Sequence, residues 1–461
     1  MTRYSKNIDK KRKRKFPLKE VISGLQLTTL FFVFAGILVW LFALSFAFPI
    51  LFWPVVVVGL ILIALLFADF IILFLSAHKF KGTRRISKML SLGDENSVTL
   101  IVRSTYPVQV KVTIIDEIPQ QFQMRNFSIT ETFKPAEKKV INYSLRPIER
   151  GEYSFGNINV LATTSLGLVV RKHIIEAEDV IPVFPSIIQM KKYELMAFAK
   201  ISTFDGIKKV RRIGHSYEFE QIKQYVQGDD IRSVNWKATG RKGTLMVNQY
   251  EDERSQQVYT IIDKGRAMKM PFNGLSLLDY AVNSGLVISN IVIKKHDKAG
   301  LITYSNKIGS TIKAENSPIQ IKKILQALYN EKEYPAESNY ELLFRAVRNV
   351  IKRRSLIFLY LNFESEYAME RALPVLKKIN HRHLLVVVIF ENTELMDFIH
   401  QDSSYVEDIY TQTIAQNLIF RKKQMVRKLV KYGIQTILTK PEDLSINTVN
   451  KYLELKKRGM I

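Results

Sequence analysis

The residues best suited to chemistry begin at a Gly-Asp-Asp turn near the middle of the chain. Gly228 permits the turn, and the carboxylates of Asp229 and Asp230 could cap the backbone amides that follow. Two acids could also bind a divalent cation. However, neighbouring side chains usually diverge, and neither a His nor a third acid lies at a useful spacing. We therefore interpret the acids as ion-pair partners of Arg232 or Arg241 that hold a loop against the next domain.

The same stretch mixes basic side chains with one tryptophan. A basic patch at 208–212 precedes the turn, and Trp236 follows it among several cations. Such a mixture suits a groove for single-stranded nucleic acid, but one tryptophan is too few for a stacking platform. We do not expect nucleic-acid binding and define an interaction motif of seven residues: Gly228, Asp229, Asp230, Arg232, Trp236, Lys237 and Arg241.

A second group of polar residues follows the apolar strands of the C-terminal part. Residues 255–461 alternate apolar strands with helical segments, which predicts a doubly wound α/β domain with a mostly parallel sheet. Ligands bind at the carboxyl ends of the strands in such sheets. The segments expected at that edge are 263–267, 338–340, 362–364 and 391–394.

Short alternating runs rich in Val, Ile, Thr and Tyr precede that domain. They are separated by turn signals at roughly 8–12 residues, the spacing of a small β-sandwich. We predict an all-β, sandwich-like domain over 79–185. Residues 186–254 form a connecting segment that contains the interaction motif.

Two long apolar runs near the N-terminus predict a two-helix transmembrane hairpin over 25–76, with helices at 25–48 and 55–76. Residues 1–90 hold 14 basic and 3 acidic side chains, so they supply +11 of the formal net charge of +25. Most of these cations flank the two runs, including the basic segment 1–24 and Arg84. The positive-inside bias then places both termini and the soluble domains in the cytoplasm.

Asp69 is the single charge inside these runs. It could snorkel to the membrane interface or pair with a partner inside the membrane. We favour snorkelling, because a single acid defines no proton relay.

Several classes of site are excluded by composition. The chain has no cysteine, which rules out disulfides, Cys-ligated metals and a thiol nucleophile. It also has no G-x-x-x-x-G-K-[ST] segment, so it is not itself a P-loop ATPase. The cysteine content fits a cytoplasmic placement without proving it.

The stretch 214–253 resembles the signature of DUF family 58, a bacterial family of unknown function. The similarity rests on GDDIR at 228–232, NWKA at 235–238 and several flanking residues, and it extends upstream to RPIERGEYSFGNINV at 146–160. The resemblance implies a protein of the bacterial inner membrane with a von Willebrand factor type A-like C-terminal domain. It also implies an assembly or chaperone role beside a MoxR-type AAA+ ATPase.

The type A resemblance further implies a divalent-cation site built from Asp-x-Ser-x-Ser and a later acid. Here the corresponding positions are Asp263, Gly265, Ala267 and Asn362, so both serines and one carboxylate are missing. We expect a degenerate site in which Asp263 pairs with Lys264 or Arg266 or caps the next helix. No cofactor is expected, and magnesium is the candidate if the edge binds a cation.

The leading hypothesis is a non-enzymatic, membrane-anchored interaction or scaffold protein with the lipid bilayer and a MoxR-type ATPase as partners. One alternative is a metal-dependent enzyme or hydrolase that uses Asp229, Asp230 or Asp263. A second alternative is nucleic-acid binding through the basic region 208–242.

Overall fold

A computed structural model describes residues 24–75, 79–125, 127–202, 218–227, 229, 231–251, 255–399 and 406–461. The chain divides into two compact units. The first holds the described residues of Met1–Leu90, Glu95–Pro147 and Gly151–Val183, and the second holds those of Ser91–Asp94, Ile148–Arg150 and Phe184–Ile461. Some parts of the sequence discussed above lie outside the described residues: the basic segment up to residue 23, the basic patch 208–212, Gly228 and Asp230.

The first unit begins with a short strand and two apolar helices. Strand β1 is Leu25–Leu27, helix α1 is Thr29–Ala47, helix α2 is Phe52–Phe70, and a π-helical turn at Ile71–Leu75 continues α2. A 3₁₀ turn at Pro49–Leu51 joins the helices, where the fixed φ of proline suits a first helical position. The helices touch, since a Cβ on Gly59 would lie 3.4 Å from Leu38 Cδ2.

Both helices expose apolar side chains to their surroundings. Val39 is 68 % exposed and Phe46 is 94 % exposed. Three helices among the described residues are long and apolar enough to cross a membrane: Thr29–Ala47, Pro49–Phe74 and Leu277–Lys294. The third is largely buried within the second unit, so its apolar character reflects a protein core.

A β-rich region completes the first unit. Its strands are β2 Phe80–Arg85, β3 Leu90–Ser91, β4 Asn96–Ser104, β5 Val110–Asp116, β6 Ile129–Phe133, β7 Lys138–Leu145, β8 Gly151–Phe155, β9 Ile158–Thr163, β10 Val169–Ile175 and β11 Asp179–Phe184. They form sheets in the orders β1-β10-β9-β5-β6, β2-β4-β7 and β3-β11-β8. The pairs of the first two sheets and the β11–β8 pair are antiparallel. The first two sheets share an apolar core to which alternate residues of β4 and β5 contribute, as a period of two requires.

Arg84 is buried in this region. It forms a salt bridge with Asp116, and its guanidinium also donates to the backbone oxygens of Ala177 (2.7 Å) and Gly156 (2.9 Å). Tyr143 donates its hydroxyl hydrogen to the same carboxylate. Counting Arg84 with the cations that flank the membrane was therefore wrong, because its charge is neutralised inside the β-rich region.

The second unit is built on a six-stranded sheet. Strands β15 Pro271–Phe272 and β16 Leu275–Ser276 form a separate two-stranded sheet. The strands of the six-stranded sheet are β14 Gln257–Asp263, β17 Lys298–Tyr304, β18 Ile308–Glu315, β19 Leu356–Tyr360, β20 Leu384–Phe390 and β21 Gln435–Thr439. Their order is β18-β17-β14-β19-β20-β21. All neighbouring pairs are parallel except β17 with β18, which are antiparallel. The mixed α/β architecture is confirmed, with an antiparallel edge strand that the apolar pattern did not predict.

Helices cover both faces of this sheet. The helices of the unit are α3 Ile187–Ser202, α4 Trp236–Lys242, α5 Leu277–Lys294, α6 Pro318–Asn330, α7 Tyr340–Val350, α8 Glu366–Arg382, α9 Thr393–Ile399, α10 Val406–Lys431 and α11 Leu444–Lys457. One apolar core packs α5, α6 and α11 against the sheet, and a second packs α7, α8 and α10. Burial on both faces explains why the strands are continuously apolar.

The described residues of the interaction motif lie in a small β-ribbon of the second unit. Strands β12 Glu218–Gln224 and β13 Met246–Glu251 pair as a separate two-stranded antiparallel sheet. A 3₁₀ turn at Ile231–Ser233 and helix α4 connect the strands. A short two-stranded ribbon cannot bury much apolar surface of its own, which leaves its connecting residues accessible.

Candidate functional site

Asp263 is the last residue of β14, the strand from which the later strands of the sheet are added in both directions. β14 lies between β17 and β19, so its carboxyl end faces the crevice where parallel sheets commonly bind ligands. Asp263 is only 2 % exposed. Its carboxylate accepts hydrogen bonds from the amide of Gly265 at 2.7 Å, the hydroxyl of Ser338, and the Tyr304 hydroxyl at 3.5 Å. The segments 263–267 and 338–340 therefore meet at this edge.

The acidity of this carboxyl reflects two opposing influences. Burial raises the pKa of Asp263 to about 6, and the hydrogen bonds from Ser338, Gly265 and Tyr304 limit that rise. Desolvation favours the uncharged acid, whereas donated hydrogen bonds favour the carboxylate. Asp263 thus changes charge near neutral pH.

Gly265 makes room for the serine that binds Asp263. A Cβ at position 265 would overlap Ser338 Oγ and would lie 3.1 Å from Asp263 Oδ1. The side-chain oxygen that a serine at position 265 would supply is therefore replaced by one from another loop. Within segment 338–340, Ser338 supplies this hydroxyl, whereas its neighbour Asn339 caps α7 by accepting from the Leu342 amide at 3.0 Å.

The cations next to Asp263 bind other acids. Lys264 Nζ lies 2.6 Å from Glu331 Oε2, and Arg266 lies 2.8 Å from Glu364 Oε2. The expectation that either would pair with Asp263 was wrong. Successive side chains of an extended segment point to opposite sides, so Lys264 faces Glu331, on the far side from Asp263.

Asn362 follows the neighbouring strand and is held by two groups. Its amide nitrogen donates to the Ala267 oxygen at 3.2 Å, and its amide oxygen accepts from Lys422 Nζ at 2.9 Å. Lys422 lies on α10, about sixty residues further along the chain, and no sequence pattern pointed to it. Burial lowers the pKa of Lys422 to about 8, opposed by the nearby carboxylate of Glu391.

Lys422 also lines a small pocket at this edge. Phe272, Leu277 and Phe390 form its apolar wall, and Glu391 lies at its rim. Segment 391–394 thus reaches the crevice as expected, with Glu391, Asn392 and Glu394 among the lining residues.

The residues at this edge do not fit a divalent cation. Hard cations require several oxygen ligands, usually with more than one carboxylate. Gly265 and Ala267 offer no side-chain donors, and the amide oxygen of Asn362 is bound to an ammonium group. Across the described ranges, no group of three or more His, Asp or Glu side chains converges on one point.

The described part of the interaction motif is organised by local bonds. Asp229 pairs with Lys223 at 2.7 Å and accepts from the Val226 amide at 3.0 Å, and the bond from Lys223 lowers the pKa of Asp229. The predicted pairing of Asp229 with Arg232 or Arg241 was therefore wrong. Lys223 lies on β12, so the ion pair fixes the turn to its own ribbon.

Helix α4 gives the motif its exposed face. Asn235 caps the helix by accepting from the Ala238 amide at 3.0 Å, and the αL conformation of Gly243 ends it. Between these caps, Trp236 is 73 % exposed, and Ile231 in the preceding turn is 71 % exposed. The exposed cations around them are Arg232, Lys237, Arg241 and Lys242. An apolar centre with a basic rim is suited to contact with an acidic surface.

The β-ribbon and the sheet edge that follows it match a known family. Residues 221–409 match the model of DUF58, a protein family of unknown function. The DUF58 region contains Trp236, Asp263 and Asn362 but ends before Lys422. The resemblance inferred from the signature is therefore confirmed over this region.

A curated protein is also similar to part of this chain. The chain is 24 % identical over 196 residues to the uncharacterized protein YeaD of Bacillus subtilis (strain 168). The alignment covers 41 % of this chain and 48 % of the relative, so it spans about half the length of that protein.

Solved structures offer only partial likenesses. The CARDB domain of a Pyrococcus furiosus protein has a TM-score of 0.17 and 14 % identity, covering 23 % of this chain and 88 % of that chain. Proximal thread matrix protein 1 from the mussel byssus has a TM-score of 0.26 and 9 % identity, covering 44 % and 45 %. Such low TM-scores carry no inference about the function of this protein.

Proposed function

We propose that this protein is a membrane-anchored interaction protein whose second unit binds another protein through the exposed face of the β-ribbon. The proposed partner is a MoxR-type AAA+ ATPase, and the proposed role is non-enzymatic, in assembly or as a chaperone-like factor. The proposed location is the bacterial inner membrane, with both termini, the β-rich region and the second unit in the cytoplasm.

The observation that carries the proposal is the exposure of the signature segment. Trp236 and Ile231 are both more than two-thirds exposed, although their ribbon lies in the DUF58 region. A large aromatic side chain that serves packing is normally buried, whereas one that anchors a partner is accessible before binding. The basic rim supports an acidic partner surface.

Three further features support the proposal. The strand order of the sheet, with Asp263 at the end of its first strand, supports a type A-like interaction domain. The internal bonds of Asp263 and Asn362 support an edge that works without a divalent cation. The apolar helices α1 and α2 support anchoring, because each presents lipid-compatible side chains over about 28 Å.

Binding can be measured with the full chain in detergent micelles and a purified MoxR-type ATPase from the same organism, by biolayer interferometry. We expect Trp236→Ala to weaken binding at least tenfold, since exposed aromatic anchors dominate interface energies. The matched control is Tyr367→Ala, because Tyr367 is an aromatic residue that is 80 % exposed on α8 and does not belong to the motif.

The outcomes separate the parts of the proposal. Equal binding by wild type and both variants would reject the ribbon as the docking surface. Absence of binding by the wild-type protein would reject this ATPase as the partner. Loss of binding only in the Trp236 variant, with unchanged circular dichroism, would support both parts.

A further inference from the structure

Asp69 binds a loop of the β-rich region. It lies one residue before the end of α2 and is fully buried. Its carboxylate accepts hydrogen bonds from the Thr164 hydroxyl, from the amide of Leu168 at 3.0 Å and from the amide of Val169 at 2.9 Å. Three donors satisfy a carboxylate that would otherwise be costly to bury. The expectation that Asp69 snorkels towards water was therefore wrong.

The residue that caps the start of helix α1 binds the backbone carbonyl groups of the same loop. Thr28 caps α1 and donates its hydroxyl hydrogen to the Gly167 oxygen at 2.7 Å, and its amide donates to the Leu168 oxygen at 3.1 Å. The loop between β9 and β10 thus gives its amides to one apolar helix and its carbonyls to the other. Gly167 has a φ of 68°, a conformation that favours glycine and turns these groups towards the helices.

Other bonds extend this connection beyond the loop. β1 pairs antiparallel with β10, directly before α1 begins. At the end of α2, the Leu73 oxygen accepts from the guanidinium of Arg171 and from the Tyr106 hydroxyl at 3.2 Å. The Arg171 guanidinium also lies over the ring of Phe74, 5.0 Å from its centroid. The end of each helix that lies opposite the Pro49–Leu51 turn is therefore bonded to the β-rich region.

Helix length sets the depth of this junction in a bilayer. α1 and α2 have 19 residues each, about 28 Å at 1.5 Å per residue, close to the ~30 Å of a hydrocarbon core. If the turn at Pro49–Leu51 lies at one boundary, Thr28 and Asp69 lie at the other. The loop they hold then lies at the level of the phospholipid headgroups.

We propose that the loop from Thr164 to Leu168 is a lipid-contacting surface, seated in the headgroup layer and locked there by Asp69. Leu166 at its tip is 40 % exposed and supplies an apolar side chain that can contact lipid. The occupant of this surface is the bilayer, because the loop is continuous with the apolar helices. The proposal rests on membrane anchoring and adds that the β-rich region has a fixed place on the membrane surface.

The absence of native cysteine permits a direct test. Single cysteines replace Leu166, Val39 on α1 or Val140 on β7, and each carries a nitroxide label on the full chain in phosphatidylcholine–phosphatidylglycerol vesicles. Val39 is 68 % exposed and Val140 is 56 % exposed, so both accept a label without repacking a core. Power saturation by oxygen reports hydrocarbon, a nickel-chelating lipid reports headgroups, and a soluble nickel complex reports water.

We expect the label at 166 to respond most strongly to the nickel-chelating lipid, the label at 39 to oxygen, and the label at 140 to the soluble complex. A label at 166 that responds like the one at 140, while 39 responds to oxygen, would overturn this inference and leave anchoring intact. A label at 39 that responds to the soluble complex would instead reject anchoring itself. Protection of 166 from all three reagents would indicate protein contact and would also overturn the lipid assignment.

The role of Asp69 in holding the loop is tested by introducing Asp69→Ala into the protein that carries the label at position 166. Because three donors lose their acceptor, we expect a narrower, more mobile nitroxide spectrum at 166 and a weaker response to the nickel-chelating lipid. The spectrum at 140 in the same variant shows whether the β-rich region remains folded. Unchanged mobility at 166 would overturn the role assigned to Asp69, and Asp69→Asn, which keeps one acceptor oxygen, should give an intermediate spectrum.

Discussion

At the scale of single residues, a glycine and a serine from different loops share one space beside Asp263. Gly265 and Ser338 are 73 positions apart, and neither alone suggests a site. Together they place a hydroxyl on a buried carboxylate without a side chain at position 265. The contact has consequences for packing and for charge, and each can be measured.

The packing consequence concerns Gly265→Ala. The added methyl group would overlap Ser338 Oγ, so we expect a loss of about 1–3 kcal/mol of stability from overpacking. Ser338→Ala removes the overlapping oxygen and should restore part of that loss. A double-mutant cycle by thermal unfolding in detergent measures the coupling. Additive effects of the two changes would show that these residues do not touch.

The charge consequence concerns Asp263→Asn. Because burial raises the pKa of Asp263 to about 6, the folded protein binds a proton more tightly than the unfolded chain between about pH 4 and pH 6. This contribution to stability is complete at low pH and is lost as pH rises through 6. A shift of about two pKa units corresponds to about 3 kcal/mol.

The asparagine variant lacks this titration. We therefore expect it to be more stable than wild type at pH 8, with the difference shrinking towards pH 4, in thermal unfolding curves across that range. A difference that grows towards acid pH would contradict the assigned direction. In wild-type background, Ser338→Ala should raise the pKa of Asp263 further, because it removes a bond that favours the carboxylate.

At the scale of elements, a buried ion pair joins strands that are distant in the chain. Arg84 on β2 and Asp116 at the end of β5 belong to different sheets, and their side chains are 3 % and 0 % exposed. Breaking one side of a buried pair leaves an uncompensated charge, which is costlier than replacing both partners.

We expect Arg84→Met to lower the free energy of unfolding by about 3–5 kcal/mol. Asp116→Asn in the same chain should recover part of the loss, because asparagine carries no charge and can still accept from Tyr143. The matched control is Lys81→Met, an exposed cation on the same strand. Equal urea midpoints for the Arg84 and Lys81 variants would show that the pair contributes nothing to the fold.

Two elements were not predicted from the sequence, and each has a physical reason. β18 has alternating exposure and runs antiparallel at the sheet edge, so it lacks the continuous apolar pattern of the other strands. Helix α3 lies within the segment interpreted as a connection, and its mixed apolar and basic residues gave a weak periodic pattern.

At the scale of the whole molecule, the sequence determined what local pattern and composition can determine. The apolar runs specify helices that suit a lipid environment, and period-two and continuous apolar strands distinguish the β-rich region from the α/β sheet. The signature at 214–253 predicted the resemblance to DUF58, and the family match over residues 221–409 confirms it for that region. Asp263 was located because it directly follows a buried strand.

Tertiary structure decided which partners these residues meet. Asp69 binds a loop about a hundred residues away, Arg84 is neutralised by Asp116, and Asn362 binds Lys422 from a distant helix. Side-chain direction and the packing of separate elements select such contacts, and neither is encoded in the spacing of a motif. A charged side chain that is expected to be exposed can instead be buried, provided that folding brings a hydrogen-bond or ion-pair partner to it. Burying the charge without such a partner would be too costly.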